Sequence, residues 1–284
     1  MGNLFRKILA AIEDIISTAV SCAPNILAEP LYRFYEGRLR KGFTRTNLPH
    51  HVAVLADGNR RWARLNAPKD PYEVGYQAGA DKLVEFVKWC QDVHIEIVTL
   101  WVLSTDNLKR SLHDELEPLL EVIVGLVDRL AQTNQVKIVG DLSLLPQSVA
   151  ERLREAETRS QNKFHRGKNT DLVVNVAVSY GGRQELLSAV KSLLKEEAQT
   201  GKTLSEVAET IDLEQISEHL YTSGTPDPDL IIRTSGEQRL SGFLMWQSAH
   251  SEFYFCEALW PDFRKVDFYR ALRSYSQRER RFGK

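Results

Sequence analysis

Cysteine is scarce in this chain: Cys22, Cys90 and Cys256 are its three cysteines in 284 residues, and no CxxC pair occurs. That spacing excludes a zinc finger or ribbon and a disulfide framework, and it fits a reducing, cytoplasmic setting. An excess of charge of one sign is also missing, with 37 Lys and Arg against 38 Asp and Glu. A surface that tracks nucleic-acid phosphates shows as a basic excess, so no nucleic-acid partner is expected and any basic pocket is local. Familiar signatures are absent too. Gly201-Lys202-Thr203 ends like a P-loop, but position 196 is Glu; no GxGxxG follows a strand, and neither HExxH nor GxSxG occurs. The seven histidines, among them His50, His51 and His250, show no ligand spacing, so packing and surface roles are expected of them.

Long apolar runs are lacking as well. In MGNLFRKILAAIEDIISTAVSC, Phe5, Ile8, Leu9, Ile12, Ile16 and Ala19 recur at helical spacing, but Arg6, Lys7, Glu13 and Asp14 interrupt them too often for a membrane span. Arg6 also stands where a myristoylation signal after Gly2 wants Ser or Thr. Residues 1–28 are expected to be an N-terminal amphipathic extension that packs on the protein or a partner, peripheral membrane contact being the alternative. Residues 29–284 are expected to form one catalytic domain, since no Pro/Gly-rich linker divides them.

What is present is 43% hydrophobic residues in a repeating order, enough to bury a large core without disulfides. HVAVLAD, IEIVTLWVLS, VKIVGD, DLVVNVAVSY, DLIIRTS and SEFYFCE read as strands. Amphipathic stretches around 79–93, 113–132, 146–162, 182–199 and 212–220 lie between them. Continuous β-branched strands separated by helices imply a single α/β domain: a mostly parallel sheet of about six strands, covered on both faces.

Ligands on such sheets gather at the carboxyl ends of the strands, and four of the runs end there in polar chemistry. Asp57-Gly58-Asn59-Arg60-Arg61-Trp62 follows the first and Ser104-Thr105-Asp106-Asn107, then Arg110, the second. Tyr180-Gly181-Gly182-Arg183 follows the fourth, and Arg233-Thr234-Ser235-Gly236, then Arg239 and Ser241, the fifth. A single such loop is usually solvated surface; four together suggest a site. Gly58 and Gly236 allow backbone amides to approach phosphate oxygens, and Arg61, Arg233 and Arg239 offer forked donors, so diphosphate binding is the chemistry suggested. Asp57, with Glu252 on the last strand, is the candidate metal ligand, in the manner of magnesium held by one or two carboxylates and substrate phosphates.

HVAVLADGNRRWAR, LSTDNLKR, NVAVSYGGR, DLIIRTSGEQRLSGFLMWQSAHSEFYF and the closing WPDF with RERRFG resemble the cis-prenyltransferase (undecaprenyl diphosphate synthase) family over residues 47–283. The resemblance implies a homodimer that adds isopentenyl diphosphate to an allylic diphosphate using Mg2+. It implies that Asp57 positions magnesium on the allylic diphosphate, held by Asn59, Arg61 and nearby amides, with Trp62 shaping the site. Arg233, Arg239 and Ser241 would hold isopentenyl diphosphate, and Glu252 would complete the metal site from the partner subunit. Ser104 and Asn107 match positions that assist condensation and proton loss, and Arg110 matches an arginine of the same loop. No DDxxD pair, the mark of the helical trans-prenyl synthases, is present.

The departures are specific. Arg60 replaces the second glycine of DGNGRW, and Tyr72 and Tyr76 stand where the family has Arg and His; Arg60 and Lys69 are the candidates to replace the lost cation. Gln238 stands where many relatives have His. Val102 takes the place of a small Ala, and Leu108 that of a Trp, both at positions tied to product length. Together with LSTDNL these changes resemble the actinobacterial short-chain branch, which makes Z,E-farnesyl diphosphate from geranyl diphosphate. Plain core packing is the competing account of Val102 and Leu108. The alternatives for the whole chain are a medium- or long-chain synthase, a non-catalytic subunit of the same fold, and a phosphate-binding regulator or phosphatase.

Overall fold

The computed structural model describes residues 32, 35–164 and 172–278; the N-terminal extension 1–28 lies outside them, as does most of RERRFG. The described chain falls into two units, Pro49–Phe263 and a second drawn from the chain up to Leu48 and from Arg264 on. In the second unit residues 35–40 are helical, the Phe43 and Tyr269 rings meet edge to face at 5.7 Å, and Arg270 lies over the Tyr35 ring.

The unit Pro49–Phe263 holds all six expected strands: β1 (His51–Leu55), β2 (Ile97–Trp101), β3 (Gln135–Val139), β4 (Val173–Ala177), β5 (Leu230–Arg233) and β6 (Glu252–Phe255). They form one sheet in the order β3-β4-β2-β1-β5-β6, parallel throughout. β1 and β5 are buried at every position, which a parallel sheet requires when both its faces are covered. The covering helices are α1 (Asn59–Asn66), α2 (Glu73–Asp92), α3 (Glu117–Ala131), α4 (Gln147–Phe164), α5 (Gly182–Gln199), α6 (Leu204–Thr210) and α7 (Leu213–Glu218). A further helix, α8 (Lys265–Ser276), belongs to the other unit.

Three of these helices, α1, α6 and α8, were not expected from periodicity. In α1, NRRWARLN buries only Ala63 and so carries no apolar stripe. What starts it is Gly58, whose φ of 114° suits glycine and whose added Cβ would press on Leu259. Glycine also lets α1 approach α2: a Cβ at Gly75 would strike the Asn59 carbonyl and one at Gly79 the Asn59 side chain. The chain leaves β1 towards β2 on one side and returns to β5 on the other, so the carboxyl end of β1 lies where the strand order reverses, the place where such sheets open a crevice.

Candidate active site

A cleft of about 300 Å3 opens at that point, between the ends of β1, β2 and β5. Asp57 borders it, held by its backbone: its N–H donates to Thr234 Oγ1 at 3.0 Å, and its carbonyl accepts from the Thr234 hydroxyl at 2.8 Å and from Trp260 N at 3.0 Å. Its carboxylate Oδ2 receives Arg233 Nη2 at 3.0 Å and lies 3.7 Å from Arg61 Nη2. Arg233 itself is 3% exposed. Its other terminal nitrogen donates to Ser241 Oγ at 2.9 Å and to the Arg239 carbonyl, so this guanidinium ties β1 to the 234–242 loop. That loop is conformationally unusual, with positive φ at Gly236 and Gly242, which glycine adopts freely, and at Ser235 and Ser241, where it is strained; strain of the latter kind concentrates at functional sites.

The opposite wall comes from α1, α2 and the segment after β2. Ser104 and Asn107 close on each other as a capping box, Ser104 Oγ accepting from Asn107 N at 3.1 Å and Asn107 Oδ1 from Ser104 N at 3.4 Å. Glu115 sits in a wide π-type turn over Leu112–Leu116, a geometry that recurs at functional positions. Its Oε2 gathers Arg60 Nη1 at 3.4 Å, Arg110 Nε at 3.8 Å and the Tyr76 hydroxyl at 3.5 Å. The sequence flagged Tyr76 as a departure and did not flag Glu115, because a carboxylate in a polar stretch carries no signal until the turn brings it to Arg60.

Below the charged cleft lies a small apolar recess of about 40 Å3. Ala56, Asn59, Tyr76, Trp101, Val102 and Leu119 border both spaces, and Leu83, Val122, Ile123 and Leu126 close the far end. Asn59 Nδ2 donates to the Ala56 carbonyl at 3.4 Å, while its buried Oδ1 has no partner.

Most sequence-derived candidates therefore converge: Asp57, Gly58, Asn59, Arg60, Arg61, Ser104, Asn107, Arg110, Arg233 and Ser241 border the cleft, and Val102 borders cleft and recess. Four do not. Trp62 turns away to donate Nε1–H to Asp262 Oδ1 at 2.8 Å. Arg239 is exposed and pairs with Glu237, and Leu108 borders neither space. Glu252 begins β6 opposite Leu230, at the amino end of the sheet, whereas Asp57 follows the carboxyl end of β1; one chain does not bring the two carboxylates together. Lys69 is exposed and borders neither space, so of the two candidate replacement cations Arg60 is the one at the cleft.

Among the described residues no three His, Cys, Asp or Glu cluster as metal ligands. Asp57 is a single, partly exposed carboxylate at an open cleft, a donor set that fits magnesium held largely by substrate phosphates. The first-turn amides of α1 have no intrahelical acceptors and suit an anion at the helix start.

A parallel α/β sheet with a cationic cleft continuous with a small apolar recess at its strand-order reversal defines an α/β protein whose site suits an anionic group attached to an apolar one. Residues 55–283 match the family model described as "Putative undecaprenyl diphosphate synthase", and the chain belongs to this cis-prenyltransferase family. It is 57% identical over 260 residues to the (2Z,6E)-farnesyl diphosphate synthase of Thermobifida fusca, covering 91% of this chain and 99% of that protein. It is 54% identical to the enzyme of the same description from Mycolicibacterium smegmatis, covering 92% and 98%. Among solved structures it resembles lavandulyl diphosphate synthase from Lavandula x intermedia in complex with dimethylallyl diphosphate, with TM-score 0.73 and 32% identity over 84% of this chain and all of that one. No helix among the described residues is long and apolar enough to cross a membrane.

Proposed function

We propose that the cleft joins isopentenyl diphosphate to an allylic diphosphate with cis geometry and releases a short product, with geranyl diphosphate as starter and (2Z,6E)-farnesyl diphosphate as main product. The observation that carries this reading is the continuity of the charged cleft with a recess of about 40 Å3. The head of an allylic diphosphate suits the first and the start of its tail the second. The descriptions of the Thermobifida and Mycolicibacterium relatives support the short-chain assignment.

In this reading the allylic C–O bond breaks with its electron pair going to the diphosphate, the isopentenyl double bond forms the new C–C bond, and a proton leaves the resulting cation. Arg61, Arg110 and the first-turn amides of α1 stabilise the charge that develops on the leaving group. Asp57 orients the allylic head. Arg233 keeps Asp57 and Ser241 in register for isopentenyl diphosphate, with Arg239 swinging in from the surface. Ser104 and Asn107, which border the cleft, steer the departing proton to a diphosphate oxygen in this reading. Magnesium, held by Asp57 and substrate phosphates, would neutralise the departing diphosphate.

The site is completed in a homodimer, with Glu252 supplied by a second copy. β6 ends the sheet and leaves Phe255 39% exposed, the kind of edge that proteins cover. A cytoplasmic location accords with the free thiols of Cys90 and Cys256.

Incubation with magnesium, labelled isopentenyl diphosphate and allylic diphosphates of several lengths tests the reaction. Label must enter an extended prenyl diphosphate; absence of transfer with every starter would favour the non-catalytic subunit. Mixing inactive Asp57→Ala and Glu252→Ala chains tests sharing, since a heterodimer holds one intact composite site. Recovery of part of the activity is expected, and no recovery despite proven subunit exchange contradicts it.

A further inference from the structure

The two tyrosines that stand where the family has Arg and His are used differently. Tyr72 faces the surface, its hydroxyl accepting from Arg64 Nε at 2.9 Å. Tyr76 is 5% exposed and borders both cleft and recess. Its hydroxyl accepts from Arg110 Nη1 at 3.1 Å and donates towards Glu115 Oε2 at 3.5 Å, while the Arg110 guanidinium lies 5.8 Å from its ring centroid. Burial, first among the causes, pushes the Tyr76 phenol above its ordinary range, so it keeps its proton at neutral pH.

We propose that Tyr76 is a positioning and specificity residue of the allylic side: its hydroxyl sets Arg110 over the cleft and its ring walls the neck of the recess, so that one side chain couples recognition of the diphosphate head to recognition of the tail. This deepens the function proposed above and rests on it. The reasoning is entropic as well as geometric. A free arginine loses rotamer freedom when it closes on a phosphate, and one already held by a buried hydroxyl binds without that loss. The hydroxyl and ring of tyrosine are a rigid unit, so a head gripped by Arg110 directs the first isoprene unit along the ring. A histidine at this position could contact the head directly; Tyr76 acts through Arg110 and adds an apolar wall.

Tyr76→Phe deletes only the hydroxyl. Measured on the full chain, it should raise KM for geranyl diphosphate about tenfold, the scale of one hydrogen bond to a charged group, and leave KM for isopentenyl diphosphate within about twofold. In the Tyr76→Phe/Arg110→Lys double variant the losses should not add, because both substitutions break one contact. Calorimetry gives a readout free of turnover. Tyr76→Phe should weaken geranyl diphosphate and inorganic diphosphate alike, whereas Tyr76→Leu, which removes the ring as well, should weaken geranyl diphosphate further than inorganic diphosphate. Equal rises in both KM values, additive losses, or unchanged binding in Tyr76→Phe would overturn the proposal. A wild type that binds geranyl diphosphate but transfers nothing would overturn the proposed reaction alone, since the binding arm still judges Tyr76.

Discussion

β1 begins on one polar residue and runs out into another, and the two meet opposite fates. His51, at its start, is 2% exposed, with Nδ1 donating to the Pro226 carbonyl at 2.7 Å and Nε2 accepting from the Thr99 hydroxyl at 2.8 Å. The Thr99 oxygen accepts in turn from Asn175 Nδ2 at 3.1 Å, so a buried polar row crosses β1, β2 and β4 and ends on Asn175, whose Oδ1 has no partner. Desolvation lowers the His51 pKa from 6.5 to about 4, so the ring is neutral. Asp57, just past the other end, stays partly exposed at the edge of an open cleft, bonded to the Arg233 guanidinium and 3.7 Å from that of Arg61. A buried polar group stabilises the fold when every partner is internal. It serves a ligand when the surrounding charges point into a space the protein does not fill.

The comparison breaks most sharply at the Asp57 end. Asp57→Asn keeps an oxygen for Arg233 but removes the charge, so turnover of the folded protein should fall by about a thousandfold or more, as for interactions that strengthen in the transition state, and thermal stability should fall as well, because the buried Arg233 loses its counter-charge. Turnover near wild type would remove Asp57 from the reaction.

At the His51 end the expected effect is on stability. His51→Leu leaves the Thr99 O–H without its acceptor and the Pro226 carbonyl without its donor and should cost about 2–3 kcal/mol, with kcat of the folded fraction within about twofold of wild type. The pH dependence has a definite sign. His51 binds its proton more weakly folded than unfolded, so its contribution is present above pH 6.5 and is lost as pH falls towards about 4, a change on the order of 3 kcal/mol. Denaturant unfolding between those pH values should show this slope in the wild type and a shallower one in His51→Leu; identical slopes would contradict the assignment.

Legibility followed the same division. β1 and β5 could be read because fully buried parallel strands are continuous apolar runs, and the less buried β3 and β6 through their β-branched and aromatic residues, although the runs extend past the ladders into Asp57, Ser104 and Asp141. α6 had a signal that periodicity passes over, the Thr203 and Glu206 capping box. α1 had almost none, since Gly58 and close packing against Gly75 and Gly79 decide it. At the site, residue type announced chemistry but not direction. Asp57, Arg61, Arg110 and Ser241 point into the cleft, while Trp62 and Arg239, equally suggestive in sequence, bond to Asp262 and Glu237. Glu115 was illegible because its role depends on a π-type turn that meets residues from α1 and α2.

Product length tests most directly the central claim that the cleft binds the head and the recess measures the chain. With geranyl diphosphate and excess isopentenyl diphosphate, the wild type should release mainly a C15 product, because further elongation must displace packed core around Val102, Ile123 and Leu126. Val102→Ala, which opens a couple of methyl groups of space, should shift the distribution towards longer products without reaching full polyprenyl length. Wild-type products of C50 or longer, or an unchanged distribution in Val102→Ala, would contradict the account.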